Sequence, residues 1–137
     1  MNAIAYPEVT IEKFEASDID PDHFDHEAHV YIGWLYVRDY ELPEALAKFD
    51  AGLKRLVIKL SAEGKYHATI TWFFLFLISE RCEADEPWHD FKRRNADIVE
   101  GSREVLSRYY SDAYLFSDRA RERFLLPDKI PNPDLAA

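Results

Sequence analysis

Seven consecutive apolar residues, Trp72-Phe73-Phe74-Leu75-Phe76-Leu77-Ile78, constrain this chain more than any other feature. At about 100° per residue they cover every direction around a helix axis. A helix apolar all round has no side to turn to water, so other elements must wrap it. The β-branched Thr69, Ile70 and Thr71 would suit a strand. However, the uncharged run from His67 to Ser79 is long for one and favours a helix from about Tyr66 to Cys82. The same run falls short of the ~20 residues that a membrane span needs.

The wrapping elements can be read on either side. Asp20-Pro21 is a good N-cap followed by a good first helical residue, which predicts a helix from there to about Asp39. One side of it carries His26, His29, Val30, Gly33 and Val37, and the opposite side Phe24, Ala28, Tyr31 and Leu35. Apolar on two sides, it too should be buried. Pro43 opens a second, amphipathic helix to about Leu60, with Leu46, Phe49, Leu53, Leu56, Val57 and Leu60 on one face. Pro87 starts a fourth, which Gly101-Ser102 interrupts, and Ser117 caps a short last helix from Asp118 to Phe124.

The expected fold is therefore all-α: a single domain over residues 1–137, four or five helices around two buried ones. Residues 1–19 read as an irregular arm, with Val9-Thr10-Ile11 as a short extended piece. Residues 127–137 read as an irregular tail marked by Pro127, Pro131 and Pro133. A length of 137 residues suits one core.

Charge and cysteine content narrow the partners. The net charge is −9, of which −7 falls within residues 1–30. With no large basic face, nucleic acid is not expected as a partner, and an acidic surface repels anionic lipid. The single Cys82 cannot form an internal disulfide, and the N-terminus lacks the pattern of a signal peptide. Both point to a cytoplasmic protein.

The chemistry-bearing residues gather at two helix starts. His23, His26 and His29 open the first helix and His67 opens the third. Short connections favour an up-down-up arrangement, which would bring both starts to one end and let His26, His29 and His67 converge. Positive helix N-termini and burial both favour neutral imidazole, the form needed by a metal ligand or a general base. Three imidazoles and a water make an open zinc site, and imidazole also suits iron and copper. The alternatives are a metal-free acid/base site, or histidines that merely hydrogen-bond a helix start, which is their commonest use. The spacing of His26-Glu27-Ala28-His29 is not that of a zincin, and the paired Glu-x-x-His of di-iron bundles is absent.

Other residues read as ordinary. His89 sits in a capping region. Cys82 is at the wrong helix end to have its thiol activated. Tyr109, Tyr110, Tyr114 and Phe116 suit core cover or an oligomer contact, and Arg119, Arg121 and Arg123 spread around their helix.

The strings Phe24-Asp25-His26-Glu27-Ala28-His29, Trp34-Leu35-Tyr36 and Lys65-Tyr66-His67-Ala68-Thr69-Ile70-Thr71 resemble a family of small bacterial proteins to which no activity is attached. The likeness spans about Phe24 to Pro127. It implies a helical, cytoplasmic bacterial protein and transfers no catalytic residue.

Two functions follow as expectations. The first is a small-molecule or metal site between the first and third helices, in a binding protein or an enzyme. His26, His29 and His67 would be ligands or acid/base groups, Tyr66, Thr71 and Arg81 would orient the bound molecule, and Gly33 would leave it room. The second is a non-catalytic interaction protein, a homodimer or the small subunit of a complex, with structural histidines.

Overall fold

The computed structural model describes Tyr6 and residues 8–129. Among these the chain forms nine α-helices and no strand, as the apolar pattern requires. The proline-rich end of the tail and the first five residues lie outside the described range.

Three helices make the centre: α2 (His26–Asp39), α3 (Leu42–Lys59) and α4 (Ala68–Arg81). Helix α2 packs on both others. Its Val30 and Trp34 enter one apolar cluster and its Ala28, Ile32 and Tyr36 enter another, so it divides the core in two. Helix α4 also packs on α9 (Asp118–Glu122) and buries Phe73, Phe74, Leu75, Leu77 and Ile78. The two helices apolar on more than one side are the two sandwiched ones.

The contacts between α2 and α4 advance in the same sense along both. The His26 ring meets Phe74 edge-on at 5.5 Å, and a turn or two later Gly33 faces Leu75 and Ile78. The helices therefore run parallel and begin at the same end. A Cβ on Gly33 would lie 3.1 Å from Ile78 Cδ1 and 3.2 Å from Leu75 Cδ1. The glycine expected to make room for a ligand instead admits the neighbouring helix.

Several boundaries differ from the sequence expectation. Asp20 caps only a 3₁₀ turn, Pro21–His23; the α-helix starts five residues later, where Asp25 Oδ1 accepts the Ala28 N–H at 2.9 Å. His67 stands just outside α4 as its cap. The arm contains one short helix: α1 (Ile11–Glu15) is capped by Thr10, whose Oγ1 accepts the Lys13 N–H at 3.1 Å. Phe14 of α1 is fully buried, stacks on Phe49 at 5.8 Å and fills the space above Gly52. Tyr36 Oη donates to Glu15 Oε2 at 2.8 Å, which ties α1 to α2.

The fourth predicted helix is two, α5 (Trp88–Arg94) and α6 (Ala96–Val99). They meet at buried Asn95, whose backbone N–H and side-chain amide both donate to the Phe91 carbonyl, at 2.9 and 3.0 Å. Helix α7 (Arg103–Tyr109) follows Gly101-Ser102, as expected. Helix α8 (Asp112–Leu115) was not foreseen. Ser117 caps α9 by accepting the Ala120 N–H at 3.2 Å. Among the described residues no helix is long and apolar enough to cross a membrane.

Candidate functional site

The parallel starts of α2 and α4 do not close on each other. Between them and the C-terminal half of α3 lies a cavity of about 490 Å³. Its walls are largely apolar: Val30 from α2, Leu53, Leu56, Val57 and Leu60 from α3, and Ile70, Phe74 and Leu75 from α4. Phe24 closes one side and the stretch from Ala62 to Tyr66 contributes to another. A pocket of this size and character suits a small organic molecule.

Five of the seven residues expected at the site line this one cavity: His26, His29, Tyr66, His67 and Thr71. The other two do not. Gly33 is a helix contact, as above. Arg81 lies at the far end of α4, where its guanidinium donates to Asp97 Oδ1 at 2.8 Å and Asn95 Oδ1 at 3.3 Å. Its charge is held by those partners and orients nothing in the cavity.

The three histidines differ in how their ring nitrogens are used. His67 has none to spare. Its Nδ1 accepts the Ile70 N–H at 3.2 Å, completing the N-cap of α4, and its Nε2 donates to the Leu115 carbonyl at 2.8 Å. That pairing specifies the neutral Nε2–H tautomer. Burial holds its pKa below the ordinary histidine value. His26 donates from Nε2 to the Ile98 carbonyl at 2.8 Å, which leaves Nδ1 as an acceptor.

His29 has no side-chain hydrogen bond among the described residues. Its ring lies against Phe24, centroids 4.1 Å apart. Burial, reinforced by the neighbouring His26 and opposed by Asp25, pushes its pKa down to about 4. At neutral pH it is an uncharged imidazole with one donor and one acceptor facing an apolar space.

The remaining polar groups complete the account. Tyr66 donates its hydroxyl to Asp50, which also accepts the Trp72 indole N–H at 3.2 Å and pairs with Lys54 at 2.9 Å. That carboxylate is satisfied by these three partners. The Thr71 hydroxyl makes no side-chain hydrogen bond among the described residues. Among the described residues Lys65 is the one Lys, Arg, Asp or Glu on the cavity wall, and it is exposed.

Among the described residues no group of three His, Cys, Asp or Glu side chains is placed to hold an ion. His67 shows why: both its nitrogens are committed to the backbone. Sequence reasoning missed Phe24 as the partner of His29, and it read the Leu53–Val57–Leu60 face as plain surface-helix packing.

No family model, curated protein or solved structure matches this chain.

Proposed function

We propose that the chain binds a small, mainly apolar molecule in the cavity at the starts of α2 and α4. The observation that supports this is His29, a half-buried imidazole on the cavity wall that lies against Phe24 and makes no side-chain hydrogen bond among the described residues. Its partner comes from outside the chain, and the apolar walls favour an organic molecule, each Å² of apolar surface withdrawn from water contributing about 25 cal/mol.

Binding is preferred to catalysis here. A general base works best with a pKa near the working pH, and burial holds His29 near 4. A transition metal such as zinc, iron or copper fits less well, because the donors do not converge. The net charge of −9 gives no reason to invoke nucleic acid or anionic lipid. A homo-oligomer is compatible with this reading and is not needed by it.

The uncharged fluorescent probe N-phenyl-1-naphthylamine tests the proposal. Its emission should rise saturably at one equivalent per chain. Val57→Trp, which fills the cavity from α3, should weaken binding roughly tenfold or more while the variant still melts cooperatively. A linear, unsaturable response from the unmodified protein would overturn the proposal.

A further inference from the structure

We infer that the molecule taken up carries an uncharged hydroxyl at the end that meets His29 and Thr71. The inference rests on the small-molecule reading above and adds the chemistry of the head group.

The cavity's unused hydrogen-bonding capacity carries it. His67 is committed at both nitrogens, and Tyr66 donates its hydroxyl hydrogen bond to Asp50. What remains is the donor and acceptor of His29, the Thr71 hydroxyl and the acceptor Nδ1 of His26. These groups include both donors and acceptors. A hydroxyl matches them, because it gives its proton to an imidazole nitrogen and accepts one on its oxygen.

Charged heads fit poorly. A carboxylate or phosphate would enter an apolar space whose one wall Lys or Arg among the described residues, Lys65, is exposed. Removing such a charge from water is expensive without a buried partner. An ammonium head would need an acid: Asp25 already caps α2 through Ala28, and Asp50 is held by Tyr66, Trp72 and Lys54. A wholly apolar molecule would cover the His29 ring, cut it off from water and offer it no hydrogen bond in return.

Three ligands of one shape separate these cases by calorimetry at pH 7.5: 2-naphthol, naphthalene and 2-naphthoate. The expected order of affinity is 2-naphthol first, naphthalene roughly tenfold weaker, and the 2-naphthoate anion weakest. Adding 1-octanol shows whether the body is aromatic or aliphatic, since either alcohol supports the inference. His29→Leu should erase the advantage of 2-naphthol over naphthalene, and His29→Gln, which keeps a donor and an acceptor, should retain part of it. The order in the unmodified protein tests the inference by itself, so a variant that fails to fold does not shield it. Equal binding of 2-naphthol and naphthalene overturns the head group and leaves the pocket standing. Tightest binding of 2-naphthoate overturns it in favour of an anion site. No saturable binding of any ligand removes the pocket reading as well.

Discussion

The two ends of the α2–α4 pair solve the same packing problem in opposite ways. Toward the C-terminal end, Gly33 lets the helices press together until an added methyl would touch Leu75 and Ile78. Beyond it, Arg81 is tied to Asp97 and Asn95. At the N-terminal end the same helices stand apart around about 490 Å³, and the polar groups there are only partly paired. Interiors close-pack wherever nothing opposes it. The open end, built from the same apolar residue types as the closed one, therefore marks the place where the chain keeps space it had the means to fill.

The largest effect expected from this contrast is at the closed end. Gly33→Leu forces a side chain between α2 and α4 and should destabilise the protein by about 3 kcal/mol, read as a fall in the urea midpoint. A near-neutral result would mean that the helices have slack there, and the contrast would lose one of its sides.

The histidines divide the open end again. His67→Ala removes the cap on Ile70 and orphans the Leu115 carbonyl, and should cost about 2–3 kcal/mol. His29→Leu removes no hydrogen bond within the protein and replaces an unpaired imidazole by an apolar group. At pH 7.5 its stability should equal or slightly exceed that of the parent, by up to about 1 kcal/mol. Equal losses from both changes would erase the distinction between them.

A pH series sharpens the same point with a smaller effect. His29 titrates near 4 in the folded chain and near 6.5 when unfolded. The stability tied to its neutral form is fully present above pH 6.5. As pH falls below that value the unfolded chain binds the proton first, so stability declines until about pH 4 and then levels off. Between pH 7.5 and 5 the parent should lose about 2 kcal/mol relative to His29→Leu, the variant serving to cancel the carboxylates common to both. Parallel curves would show that the imidazole is freely hydrated.

The central architecture was readable because it rests on local periodicity. The seven apolar residues of α4 and the two-sided pattern of α2 each demand burial whatever surrounds them. Their shared N-terminal end followed from short connections. What escaped the sequence depends on contacts between distant residues. His67 Nε2 is engaged by a carbonyl 48 positions away. Asn95 looked like one more helical residue until its amide turned back to Phe91. Asp20 and Asp25 are equally plausible caps, and the choice between them falls to the packing of Phe24 on His29 and Phe14. Helix α1 is five residues long, too short for a period to show, and is held by Phe14 above Gly52 and by Glu15 on Tyr36.

The attachment of the last helices to α4 has a consequence for biosynthesis. Buried Thr69 directs its hydroxyl proton to the carbonyls of Ala120, at 2.7 Å, and Arg123, at 2.8 Å, and accepts the Leu125 N–H at 3.1 Å. Two residues earlier, His67 is oriented by Leu115. A chain leaving the ribosome from its N-terminus has α2, α3 and α4 available long before residues 115–125 emerge. The first turn of α4 gains its final anchorage only when they do. The stretch of cavity wall from His67 to Thr71 is thus fixed in place late, after the helices that carry the rest of the wall have already been made.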